Sequence, residues 1–349
     1  MYFFAVALLI SFYFVARGLT ANSTSRDARI SLSVGERMTD HELQKIYSDA
    51  KRDFNRLDKN GGSILGPMLV KRDVGSDGHK KVQRFIADTL RDSGFMVTFD
   101  NFTEQTPYGM KEFSNIIGIK TPAAKKRLLM AAHYDSKYFK EFDFIGATDS
   151  SVPVALLLDL CKSVGPKLST NPDDTTLQLV FFDGEEAFKD WTSTDSLYGA
   201  RHLAEKWDKE LEISTKNALP GLSTSEIKLI DLFVLLDLIG APNPTFLPLI
   251  PETKNVFYEL AALENRLYTK GFVSQKYLRP RSTIGVSGIS DDHEPFLKKS
   301  VKILHLIATP FPDVWHKQGD NAQNLDQAVI NNFAVLMRTF VFSYLNLAP

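Results

Sequence analysis

The chain has 349 residues, with 41 Lys plus Arg against 42 Asp plus Glu and a formal net charge of −1. No basic excess is left to neutralise phosphates, which argues against nucleic acid as a partner, and the 44% hydrophobic content belongs to a globular chain with a large core, not to a disordered or fibrous one. The one cysteine, Cys161, excludes an intrachain disulfide and a thiolate zinc site, so any metal must sit on His, Asp and Glu.

The N-terminus opens on an uncharged run at residues 2–16, YFFAVALLISFYFVA. It is short for a membrane span of ~20 residues and fits the apolar stretch of a signal peptide, with Ala16 and Gly18 as small residues at a cleavage point. The expected division is a targeting segment at 1–18, a flexible segment at 19–38 and one folded domain at 39–349. A secretory route is expected. The alternative is mitochondrial: no basic residue precedes the run, and Arg17, Arg26 and Arg29 stand among Ser and Thr with only Asp27 acidic. Asn22-Ser-Thr and Asn101-Phe-Thr are glycosylation sequons that matter only in the secretory pathway.

From Thr39 onward, helix and strand patterns alternate. Thr39 or Asp40 can cap a helix to about Arg56, with Leu43, Ile46, Tyr47 and Phe54 on its apolar face. A helix over His79–Asp92 stops at Gly94. Phe95–Phe99, Phe113–Ile119 and Arg127–Ala132 read as strands. Ser150–Lys162 is helical, with Pro153 tolerated in the first turn and Cys161 as a small buried hydrophobe. Leu177–Phe182 is a buried strand, Thr194–Trp207 a helix, Leu229–Leu236 a strand, Lys254–Lys270 a helix, Val301–Ile307 a strand and Gln327–Leu345 the final helix. Residues 209–225 and 271–291 read as long loops. The alternation predicts a single α/β domain, with a mainly parallel central sheet and helices on both faces.

Polar residues collect just after the apolar strands: His133 and Asp135 after LLMAA, Glu185-Glu186 after LQLVFFDG, Asp237 after LFVLL, and Trp315-His316 after ILHLIATPFP. Open α/β sheets bind ligands beyond the carboxyl ends of their strands, so these segments converge on one crevice. Adjacent carboxylates repel. A divalent cation relieves that cost by taking one as a ligand and leaves the other free as a general base. Asp149, in GATDSSVP, reads either as a helix cap or as a ligand beside Glu186 and His316. Asp, Glu and His with an open fourth position make a catalytic zinc set.

The segments HYDSK at 133–137, GATDSSVP at 146–153, FFDGEEAF at 181–188, DSLYGARHLA at 195–204, LLDLIGAPNPTF at 235–246, DDHEPFL at 291–297 and FPDVWH at 311–316 resemble the animal glutaminyl-peptide cyclotransferases, the glutaminyl cyclases. The resemblance runs from about residue 40 to the C-terminus, and implies a catalytic domain with a zinc-aminopeptidase-like fold. It implies one zinc per chain on Asp149, Glu186 and His316, Glu185 as acid/base, Asp237 and Asp291 as a hydrogen-bonded acidic network, and Trp191, Phe311 and Trp315 as an aromatic substrate pocket. Secreted vertebrate members carry a disulfide near the metal, which this chain cannot form.

The implied reaction is an acyl transfer: N-terminal glutamine, and weakly glutamate, of peptides and proteins closes to pyroglutamate, with release of ammonia from glutamine. A monomer without a stable membrane span is expected. Two alternatives stay open on the residues alone. One is a two-zinc aminopeptidase using His133, Asp149, Glu186, Asp237 and His316. The other is a non-catalytic binding ectodomain on the same fold.

Overall fold

The computed structural model describes residues 36–171, 174–209, 225–281 and 288–349. The targeting segment, Asn22 and most of the expected loop at 209–225 therefore lie outside the described residues. The first helix, α1 (Asp40–Asp53), is capped by Thr39, whose hydroxyl accepts from Glu42 while the Glu42 carboxylate returns a bond to the Thr39 backbone. It ends earlier than expected and passes into a tighter turn at Phe54–Leu57. Helix α2 (Asp77–Asp92) starts two residues before His79 because Ser76 caps it, and it stops where Gly94 takes a positive φ of 77°.

Strands β1 (Met96–Thr106) and β2 (Gly109–Ile119) form a long hairpin with Pro107 and Tyr108 at its tip. The expected first strand ended at Phe99. Its second half carries Asp, Asn, Thr, Glu and Gln, which alternation cannot recognise, but β2 pairs with it along its whole length. Strand β3 (Arg127–His133) leads through a tight segment at Ala147–Ser151 into helix α3 (Val152–Val164), buried almost all round, with Cys161 inside it. Strand β4 (Thr176–Phe182) precedes helix α4 (Tyr198–Lys209), which begins four residues later than expected. Strand β5 (Ile230–Asp237), helix α5 (Lys254–Thr269), strand β6 (Ile303–Ile307) and helix α6 (Gln327–Tyr344) complete the chain.

The sheet runs β1-β2-β4-β3-β5-β6, with β4, β3, β5 and β6 parallel and β2 antiparallel to both neighbours. Alternate side chains face opposite layers. Leu128, Met130, Ala132, Leu179, Phe181, Val234, Leu236 and Leu304 pack under α1, α2, α3, α5 and α6. Leu129, Ala131, Val180, Phe182, Phe233 and Leu235 pack against Ala200, Leu203 and Trp207 of α4 and against Phe296. The β3-to-β4 crossover thus uses one face and the β4-to-β5 crossover the other. That reversal leaves a crevice beyond the carboxyl ends of β4, β3 and β5.

Candidate active site

Each of these strands delivers polar groups as it ends. Past β3, His133 is buried, with Nε2 3.0 Å from Asp149 Oδ1 and 3.6 Å from Asp237 Oδ1, and Nδ1 3.4 Å from Asp135 Oδ1. The carboxylate of Asp135 accepts the backbone N–H of Glu185 at 3.1 Å and of Glu186 at 3.2 Å. Asp149 is not a helix cap. It sits in an extended conformation (φ −121°, ψ 75°) ahead of α3, in a turn that needs Gly146 at φ 56°, because a Cβ there would lie 2.1 Å from the Asp149 carbonyl oxygen.

His316, at a positive φ of 53°, brings Nε2 to 3.4 Å from Asp149 Oδ2 and 3.3 Å from Glu186 Oε1. One ligand-type atom from each of Asp149, Glu186 and His316 lies within 4.8 Å of the others. His133, Asp149 and Asp237 form a second such group that shares Asp149. Glu186 Oε1 is buried and accepts no hydrogen bond, as an oxygen reserved for a cation would. Two carboxylates and one imidazole suit zinc chemically. Without a cation, burial alone would lower the His316 pKa, but Asp149 and Glu186 outweigh it and raise it to about 9.

Glu185, Asp237 and Asp291 are pushed upward. Burial is the largest cause for Glu185, reinforced by Glu186, Asp291 and Asp292, and its pKa stands well above the usual carboxylate range. Burial also lifts Asp237 to about 6. Asp237 Oδ1 accepts from the Ser150 hydroxyl and from Leu238 N–H. Asp291 Oδ2 lies 2.6 Å from Nε2 of His305 on β6. Asp237 and Asp291 line the same pocket as Glu185, each fixed by a partner that the linear pattern did not indicate.

The profile of Peptidase family M28 matches residues 115–341. The glutaminyl-peptide cyclotransferase of Bos taurus is 43% identical over 81% of this chain and 81% of its own length. The glutaminyl-peptide cyclotransferase-like protein of Mus musculus is 38% identical over 98% of this chain and 89% of its own length. The chain belongs to the glutaminyl-peptide cyclotransferase family. Among solved structures, the glutaminyl cyclase of Macrostomum lignano superposes with a TM-score of 0.74 at 33% identity, covering 97% of each chain. The expected family and its zinc-aminopeptidase-like α/β fold are therefore borne out.

In this cyclotransferase-family chain, a pocket of about 530 Å³ opens over the acids, bordered by Trp191, Leu238, Ile307, Phe311 and Trp315. Trp315 stacks on His316 with ring centroids 4.0 Å apart and meets Phe311 edge-on at 4.9 Å. Trp191 is 43% exposed at the rim. The structure thus gathers all nine expected site residues around one crevice.

Several positioning groups escaped the sequence reading. Arg72, fully buried, donates to the carbonyls of Met68, Tyr134, Ile145 and Gly146, tying the loop after β3 to the turn that holds Asp149. Asp320 accepts from the Thr148 N–H at 2.8 Å and hydroxyl at 3.0 Å, locking that turn to the loop of His316. Asp195 accepts the N–H groups of Phe188, Lys189 and Asp190 and the Tyr198 hydroxyl. Residues 194–197 are therefore spent on the loop before Trp191, which is why α4 starts at Tyr198. His305 was hidden inside an apolar strand pattern. A polar residue in such a strand is its one sequence signal.

Proposed function

We propose that the enzyme cyclises the N-terminal glutamine of peptides and proteins to pyroglutamate, with Asp149, Glu186 and His316 holding one zinc ion and Glu185 moving the proton. The observation that carries this division of labour is the pair Glu185-Glu186. Glu186 aims a buried oxygen that accepts no hydrogen bond toward Asp149 and His316, with His316 Nε2 3.3 Å away, while its neighbour lies among acids in the same pocket.

When bound, the zinc supplies a Lewis acid that polarises the γ-carbonyl of the substrate. The chain's own groups do the rest. The Glu185 carboxylate takes a proton from the α-amine as its nitrogen bonds to the γ-carbon. It returns that proton to the departing amide nitrogen, so that ammonia leaves and the five-membered ring remains. One group can serve in both directions because burial raises its pKa above the usual carboxylate range, so that it holds a proton more readily than an exposed acid. Asp237 and Asp291 orient the amine and share the network. Trp191, Phe311 and Trp315 fold the side chain back on its own amine and exclude water, which is where an intramolecular reaction gains most.

The two-zinc reading draws on His133 and Asp237. Those two lie with Asp149 in the second candidate group, so the metal count separates the readings. Entry into the secretory pathway through a targeting segment at 1–18 fits the uncharged run at 2–16. Asn101 stands exposed on edge strand β1, open to a glycan. Weak turnover of N-terminal glutamate follows from the poorer electrophile.

Mass spectrometry of Gln-starting peptides tests the reaction, with elemental analysis of the same sample. Gln-peptides should lose one ammonia, acetylated and Asn-starting peptides should be inert, and one zinc should be found. Release of free Leu or Ala from peptides that begin with them, with no ammonia from Gln-peptides and two zinc ions bound, would overturn it.

A further inference from the structure

A second cavity, of about 560 Å³, lies on the other side of the Glu186 wall. Three rings frame it. Tyr108, at the tip of the β1–β2 hairpin, meets Tyr138 edge-on with centroids 6.2 Å apart and Phe188 at 6.3 Å. Tyr108 is 58% exposed and Tyr138 41%, with Met110 at 60% beside them on the hairpin. Aromatic surface left in water around a concavity marks a contact site more often than a packing accident. Lys111 and Lys140 line the same cavity, together with Asp73, Asp135 and Glu186.

The cavity shares a wall with the catalytic crevice. Glu186 borders both, and successive residues of the segment after β3 alternate between them: Ser136 and Tyr138 face the aromatic cavity, Lys137 the catalytic pocket. A peptide that begins there must leave over an edge, and about three extended residues cover roughly 10 Å.

We infer that this aromatic cavity is a subsite for the substrate chain beyond its reacting residue, favouring an aromatic side chain at about positions three to five. Tyr108, Tyr138 and Phe188 offer flat apolar faces to such a ring, and the acids on the same wall disfavour a carboxylate there. The inference rests on the cyclisation reading for the direction in which the substrate runs.

The test compares zinc-loaded wild type with Tyr138→Ala and Tyr108→Ala on three probes. These are a Gln-Ala dipeptide amide, a Gln-starting heptapeptide with Tyr at positions three to five, and the same heptapeptide starting with Ala, labelled for fluorescence anisotropy. KM for the reactive heptapeptide should rise roughly five- to twenty-fold in each variant, while dipeptide kinetics and zinc content stay unchanged. The Ala-starting probe should bind wild type and lose affinity in both variants. Equal effects on dipeptide and heptapeptide, or unchanged probe binding in Tyr108→Ala, would overturn the subsite. If wild type releases ammonia from neither Gln-peptide, the cyclisation reading fails, and the anisotropy arm alone decides whether the cavity binds a peptide.

Discussion

The carboxylate of Asp135 holds the backbone of Glu185, its Oδ1 accepting the Glu185 N–H at 3.1 Å. Through Oδ2 it holds Glu186 in the same way, so one buried side chain sets the direction of both glutamates. Asn in its place keeps one acceptor and points an N–H₂ at the second donor. Asp135→Asn should lower kcat/KM and zinc affinity together, each by roughly 10- to 100-fold, as for the loss of a group that orients a ligand. Steady-state kinetics and a zinc-competition titration check this; unchanged zinc affinity would show that the carboxylate does not set the loop.

Glu185 and Glu186 should separate cleanly on substitution. Glu185→Gln should keep its zinc and lose about 10²–10⁴ in kcat, the range for a missing general acid/base. Glu186→Gln and His316→Ala should lose metal first and activity as a consequence. Metal analysis paired with single-turnover kinetics distinguishes them, and identical behaviour of the two glutamate variants would refute the assignment.

Stability should depend on a buried ion pair far from the chemistry. Arg338 on α6 grips Asp159 on α3 with Nη2–Oδ1 at 2.7 Å and Nε–Oδ2 at 2.9 Å, and reaches Asp53 at 2.9 Å through Nη1. Arg338→Met strands the buried Asp159 carboxylate and should cost about 3–5 kcal/mol. Pairing it with Asp159→Leu should restore much of that loss. Urea unfolding of the single and double variants measures both; equal destabilisation in the two would show that the methionine, not the stranded charge, is at fault.

The pH dependence of folding should carry the signature of Glu264. Its oxygens accept the N–H groups of Tyr277 and Leu278, yet burial lifts its pKa from the usual 4.5 to about 7. An acid with a raised native pKa binds its proton more tightly when folded. Its contribution is therefore complete below about pH 4.5 and is lost as pH rises toward 7. Wild type should lose stability relative to Glu264→Gln across that window, on the order of 3 kcal/mol in all. Melting temperatures of the pair at pH 4.5, 6 and 7.5 report the difference, and parallel curves would contradict the shift.

The order of strands and helices, and the polar residues after each strand, were legible because both are local. Burial on two faces writes a continuous apolar run into β3, β4 and β5, and the residue that ends such a run must face the crevice. The Glu185-Glu186 pair likewise announces a cation, because two adjacent carboxylates are costly without one. What proximity in sequence cannot encode is partnership. The polar half of β1 becomes a strand because β2 pairs with it, and its extension carries Tyr108 to the edge of the crevice. Arg72, Asp195 and Asp320 look like ordinary loop residues, and only the folded chain sets them against the backbones they hold. Whether Asp149 caps a helix or faces His316 was likewise settled by long-range geometry: a hydrogen bond across more than a hundred residues leaves no period in the sequence.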